Sequence, residues 1–412
     1  MERTRGEGVG SDIEEPSYAP PHYSYGRLFL RFLRFGLNAF GGPIAQIGMI
    51  RKALVEDERW ISGPGFNRLL ALMQVLPGPE AHELCVHLGV RARGRLGGLL
   101  AGLGFMLPGL VLMLATAWAY DRFVSGVDWF DAAFLGVQIG VLALIARAVR
   151  QIGGHVLDST LLCLIAAGAL AASLVGTSFW VTLATAGAIH AVAAPGRRIA
   201  PMLVLLTGVA AAATLHGLQF DTAALLPAPT EASSADALAL FFSGLKAGLL
   251  TFGGAYTAIP FVRADTVGRG WIGDGPFLDA VAFAGVLPAP LVIFCTFVGY
   301  LAGGWIGALA ITAGVFLPAF AFSMLLYERL EQIVGDVRLH RALAGVAGGV
   351  VGLIAATLLQ LGWSMVERLP SLWLALPIFV VAASVIWFWK SRYAAPSVIA
   401  ISAGLGHALL QG

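Results

Sequence analysis

From residue 27 onward the chain alternates long apolar runs with short polar segments, and the runs are close to the ~20 residues that cross a bilayer's hydrocarbon core. In the first half they fall at 28–50, 69–89, 96–120, 132–146, 161–179, 181–194 and 201–215. In the second half they fall at 238–261, 301–327, 343–361, 372–389 and 396–410, with a proline-broken run near 277–299. Polar residues gather between the runs instead of lining one face of each, so the pattern predicts an all-α polytopic membrane protein.

Glycine and proline cut several runs in mid-course. Phe40-Gly41-Gly42-Pro43 interrupts the first run and Pro77-Gly78-Pro79 the second. The same punctuation returns about 210 residues later. Phe252-Gly253-Gly254 matches the first break, and Val286-Leu287-Pro288-Ala289-Pro290 matches Val75 to Pro79. Trp60, Phe66, Cys85, Gly89, Gly94, Gly97, Gly104 and Pro108 pair with Trp271, Phe277, Cys295, Gly299, Gly304, Gly307, Gly314 and Pro318. The expected organisation is a cytoplasmic tail at 1–26, a first transmembrane repeat at 27–216, a connector at 217–236 and a second repeat at 237–412. Each Gly-Gly or Pro-x-Pro segment either spans or re-enters as a hairpin, and basic residues at both ends of the first two favour hairpins.

Lysine and arginine placement sets orientation. Arg91, Arg93 and Arg95, then Arg147 and Arg150, then Arg197 and Arg198 fall on one side, the inside, while the connector carries neither residue type. The two copies then enter from opposite faces, an inverted-topology repeat of the kind many secondary transporters use. The N-terminus is expected in the cytoplasm.

The breaks carry the candidate chemistry. Irregular backbone at membrane depth is tolerated where it is buried in protein or lines a polar cavity. A helix beginning there presents unpaired N–H groups and a partial positive charge, a setting for an anion. The candidate substrate residues are Asn38, Phe40, Gly41, Gly42, Pro43, Arg51, Gln74, Pro77, Gly78, Pro79, Glu80, Phe252, Gly253, Gly254, Arg263, Pro288, Ala289 and Pro290, with Gln46 a further polar candidate. Arg51 and Arg263 occupy matched positions and offer planar forks suited to oxyanions. Glu80, His82 and Glu83 lack counterparts in the second copy and are candidates to carry a coupling proton.

Composition narrows the alternatives. Of 412 residues, 58% are hydrophobic and 12% charged, against ~25% charged in soluble domains. The net charge is +2 and no basic patch interleaved with aromatics points to nucleic acid. The three cysteines show no ligand spacing, and the histidines of His82-Glu83-Leu84-Cys85-Val86-His87 stand five apart rather than the four of a metalloprotease helix. No metal, cofactor or ATP-binding motif is expected.

At Phe40-Gly41-Gly42-Pro43, Pro77-Gly78-Pro79, Phe252-Gly253-Gly254 and the two Leu-Pro stretches at 107–108 and 317–318, the chain resembles the chromate ion transporter family in its long, two-domain form. The resemblance covers roughly residues 27–410 and implies an inner-membrane transporter that exports chromate through a site also recognising sulfate. It carries over the first-half motif residues Phe40 to Pro43 and Pro77 to Pro79. Ala289 departs from the glycine often found in the family's second half. The expectation is a secondary transporter of a divalent tetrahedral oxyanion, not an enzyme, acting by alternating access, with the bilayer and a possible second copy as partners. An anion channel and a membrane-embedded enzyme acting on a phosphorylated lipid are the alternatives.

Overall fold

The computed structural model describes residues 20–73, 76–124, 127–193, 235–252, 254–325, 337–389, 391 and 393–410. Residues 1–19, Gln74, Gly253, the run at 201–215 and nearly all of the connector lie outside these. Among the described residues there are fourteen α-helices and no strand. The first half contains α1 (Tyr25–Leu37), α2 (Gly42–Arg51) continuing into a π-helical turn, α3 (Gly63–Met73), α4 (Glu80–Phe123), α5 (Asp128–Val156), α6 (Thr160–Leu174) and α7 (Phe179–Val192). The second contains α8 (Ala237–Leu249), a 3-10 turn Ala255–Ala258, α9 (Ile259–Thr266), α10 (Asp274–Val286), a 3-10 turn Leu291–Ile293, α11 (Phe294–Leu325), α12 (Val337–Arg368), α13 (Leu372–Phe388) and α14 (Ala394–Leu410).

Two of these helices are hairpins. In α4, Arg93 (φ −148°, ψ 32°) and Gly94 (φ 64°, ψ −164°) leave the helical region. In α11, Gly303 (φ −148°, ψ 24°) and Gly304 (φ 61°, ψ −155°) do the same with nearly identical angles. The chain then folds back on itself. A Cβ placed on Gly89 would stand 2.5 Å from the Gly97 carbonyl oxygen, and one on Gly299 would stand 2.6 Å from that of Gly307. Eight residues of continuous helix would hold such atoms roughly 12 Å apart. The Thr296 and Thr312 hydroxyls close the second hairpin with a 2.7 Å hydrogen bond.

The long arms, 95–123 and 305–325, organise the molecule. Each has a short helix laid parallel to it. Gly104 lies against Leu33 and Phe29 of α1, and Gly36 against Phe105 and Pro108 further along; Gly314 and Pro318 meet α8 in the same way. The two arms run antiparallel to each other: Gly102, early in the first, packs on Phe320, late in the second. Tyr120, late in the first, packs on Phe297 of the short arm that leads into the second turn, with ring centroids 5.1 Å apart. Around this centre α12 packs on α5, α6 and α7, while α13 and α14 pack on α5.

The outer surface is apolar. Ile306, Trp363, Trp373 and Phe388 are each more than 70% exposed. Four helical stretches, Glu80–Phe123, Phe130–Val156, Leu291–Leu325 and Leu339–Arg368, are long and apolar enough to cross a membrane. Apolar surface on this scale belongs against lipid.

Candidate functional site

The breaks meet between the two long arms. α1 stops at Leu37, and Asn38 caps it while its side-chain amide donates to the Arg34 carbonyl at 2.8 Å. Gly41 then takes a left-handed conformation (φ 87°) and α2 starts with Pro43 in its first turn. Proline costs nothing there, because its missing N–H would have no helical partner anyway. No side chain caps this start, and Gly41 and Asn38 are exposed.

Two contacts tie the breaks of one half to those of the other. The Gly78 N–H donates to the Thr251 carbonyl at 2.8 Å. The buried Gln46 side chain donates to the Ala39 carbonyl at 2.8 Å and to the Ala289 carbonyl at 2.9 Å. Gly78 and Ala289 are matched positions in the two Pro-x-Pro motifs, and Ala39 and Thr251 both precede a Phe-Gly-Gly. One matched pair is thus joined directly and the other through an amide. The long arms close round this point: a Cβ on Gly109 would overlap that of Ala289, and one on Gly78 would stand 3.2 Å from that of Ala319.

Pro79 is the residue before the first turn of α4, with Glu80 and Glu83 in that turn. Pro290 precedes the 3-10 turn Leu291–Ile293, which has no acidic residue, instead of opening an α-helix directly. The halves therefore differ electrostatically. The first-half helix start has two carboxyl groups in its own first turn, although no side chain caps it, and when ionised they disfavour a second anion there. The second-half start has no such group on its own turn.

His82 and Glu83 are wholly buried. The His82 ring lies among Phe105, Phe316 and Phe320, with centroids 6.4, 4.9 and 4.7 Å away. Among the described residues neither carboxyl oxygen of Glu83 has a hydrogen-bond partner. That carboxyl group lies against Gly78, where an added Cβ would come within 2.5 Å of Oε1.

Other predicted residues stand elsewhere. Arg51 ends α2, at the opposite end from the break, and its exposed guanidinium reaches Asn67 at 3.3 Å and Glu56 at 4.0 Å. Arg263, in the last turn of α9, is held by both carboxyl oxygens of Asp274 at 2.8 and 3.0 Å and by Gln360 at 2.9 Å. Phe252, Pro288, Ala289 and Pro290 are buried at the break, and Gly254 (φ 131°) precedes the 3-10 turn. Gln74 and Gly253 lie outside the described residues. Sequence reasoning gave no role to Asp279, which is buried and bonded to Tyr120 and Gln138. Its one signal was a carboxylate inside an otherwise apolar run.

The chromate transporter family model matches residues 26–215 and again residues 238–407. A chromate transport protein of Pseudomonas aeruginosa is 55% identical over 386 residues, covering 94% of this chain and 92% of the relative. A chromate transport protein of Cupriavidus metallidurans is 31% identical, covering 94% of each. A probable chromate transport protein of Synechococcus elongatus is 29% identical, covering 96% of this chain and 98% of the relative. No solved structure matches the chain. With two family matches that together take in most of its length, this multi-pass membrane protein belongs to the chromate transporter family, a family of transporters and not of enzymes.

Proposed function

We propose that the protein is a secondary transporter that exports chromate and also recognises sulfate, by alternating access around the meeting point of the four breaks. The observation that carries this reading is the pair of contacts Gly78 to Thr251 and Gln46 to Ala289, which ties the breaks of one half to those of the other. A small doubly charged guest suits such a place, because the N–H groups of an uncapped helix start are fixed donors that need no reorganisation on binding. The α2 start, with its exposed Gly41, is the proposed point of entry. Glu80, His82 and Glu83 are the proposed proton carriers beside it, since a proton and an anion favour one another's presence at short range. Arg51 and Arg263 then act at the mouths of the path instead of at its centre.

The proposed location is the inner membrane, with the N-terminus in the cytoplasm and the halves inserted in opposite senses. The antiparallel run of the two long arms supports this arrangement. The test is uptake of radiolabelled chromate and sulfate by proteoliposomes, with and without a pH gradient. The expected result is saturable movement of both anions, with accumulation only when a gradient is present. Movement of neither anion would overturn the proposal, and unsaturable flux without accumulation would replace it with a channel.

A further inference from the structure

A buried carboxylate also joins the two halves away from the breaks. Asp279 sits in α10, almost wholly buried. Its Oδ2 accepts from the Tyr120 hydroxyl at 2.8 Å and its Oδ1 from the Gln138 amide at 3.0 Å. Tyr120 is near the end of the first long arm and Gln138 is in α5, so both donors belong to the first half while the acceptor belongs to the second. Among the described residues Arg368 of α12 makes no direct hydrogen bond to Asp279; it donates to the Gln138 Oε1 at 3.1 Å, and its charge acts on the carboxylate from there.

The contrast with Asp265 is informative. That carboxylate, also buried, is paired directly with the Lys246 ammonium. Among the described residues, Asp279 is held by two neutral donors and stands one residue removed from a cation. A buried ionised carboxylate in that setting is expensive to keep, and packing alone does not call for one. Nor does the shared scaffold: counting from the matched Phe66 and Phe277, the first half has the exposed Arg68 where the second has Asp279.

We propose that Asp279 is a proton-binding site of the transport cycle, an inference that rests on the transport reading above. The carboxylate takes up H+ from water in one conformation and returns it to water in the other. Ionised, it accepts both hydrogen bonds. Protonated at Oδ2, it gains a donor facing Tyr120, whose hydroxyl then either turns to receive that bond or keeps a weaker one to a neutral oxygen. Proton occupancy is thereby linked to the strength of a tie between the halves, which alternating access must loosen.

Among the described residues, the charged and titratable groups that act on this site are Tyr120 itself, Arg368 behind Gln138, and Asp131 of α5 acting on Tyr120. α11 contributes the Phe297 ring against Tyr120, and α14 contributes Ile399 beside Gly285 of α10.

The experiment compares two assays on purified full-length protein in proteoliposomes, with radiolabelled chromate and sulfate as probes. One is anion-for-anion exchange without a gradient; the other is accumulation driven by a pH gradient. Wild type moving neither anion would remove the transport reading itself, before any variant is considered. With wild type active, Asp279→Asn is expected to keep exchange near the wild-type rate and to lose gradient-driven accumulation. Asp279→Glu is expected to keep both, with the pH profile of accumulation shifted. The inference is overturned if Asp279→Asn accumulates anion like wild type, or if exchange and accumulation fall together in parallel with Tyr120→Phe. Should Asp279→Asn fail to fold, an unshifted pH profile in Asp279→Glu overturns it equally.

Discussion

Gly109 shows how little room the centre leaves a single residue. It faces Ala289 from the first long arm, and an added Cβ there would overlap the alanine Cβ and lie 3.1 Å from its Cα. Because Ala289 offers its carbonyl to Gln46 at 2.9 Å, a push on this residue also strains the amide bridge between the halves. Gly109→Ala is therefore expected to destabilise the protein by about 1–3 kcal/mol, the usual range for overpacking a tight interior. It should also lower the transport rate. Adding Ala289→Gly removes one of the two clashing carbons, so the double variant should recover part of both losses. Thermal melting in detergent and proteoliposome flux, measured on the two single variants and the double, check this. A Gly109→Ala protein that melts and transports like wild type would show that the interface yields more easily than its geometry indicates.

At the scale of elements, the Arg263–Asp274 pair ties α9 to α10 and, through Gln360, to α12. Burial alone pushes the Asp274 carboxyl up, but the hydrogen bonds and charge of Arg263, with Ser364 and Arg368 behind, outweigh it and hold the group below its ordinary range. A carboxylate depressed in the folded state binds its proton more readily when unfolded. Its stabilising contribution is therefore complete above the unfolded value, ~3.9 for aspartate, and is lost as pH falls through the folded value. Asp274→Asn should melt below wild type near neutral pH, and the gap should close as the pH is lowered into the acid range. A gap that stays constant with pH would mean the pair contributes packing and not charge. The breaks these elements flank were legible in the sequence, because Gly-Gly and Pro-x-Pro have few other reasons to interrupt apolar runs. Gln46 was legible as a polar side chain in such a run, though its bond to Ala289 depends on the folded arrangement of distant segments. The reversals that make the hairpins were legible in part, because separate apolar runs were expected on either side of Arg91 to Arg95. What was not legible is how tightly the arms pack: Gly94 read only as one more repeat coincidence, yet its φ of 64° beside Arg93 brings the two arms together. Asp279 was missed because the first-half carboxylates, clustered at Glu80 and Glu83, drew the acid–base reading to the breaks.

For the whole molecule, the decisive question is the sense in which each half enters the bilayer. The hairpin turns at Gly94 and Gly304 share their backbone angles, so the two halves use the same device. The long arms that leave those turns pack antiparallel, with Gly102 on Phe320 near one end, while Tyr120, at the other end of the first long arm, packs on Phe297 of the second hairpin's short arm. Two like hairpins packed head to tail would place their turns on opposite faces of the membrane. Arginine placement gives the sign: Arg91, Arg93 and Arg95 surround the first turn, whereas the second, at Gly303 and Gly304, is flanked by Ala302 and Trp305. Basic residues are retained on the cytoplasmic side, so the first turn should be inside and the second outside. Single cysteines at Gly94 and Gly304 would disturb the left-handed turns. Arg95→Cys and Trp305→Cys, in a background with exposed Cys163 changed to Ser and buried Cys85 and Cys295 retained, avoid that difficulty. An impermeant thiol reagent applied to intact cells is expected to label Trp305→Cys and to spare Arg95→Cys until the membrane is opened. Labelling of both from one face would place the two turns together, and no alternating motion about a shared centre would then follow from the antiparallel arms.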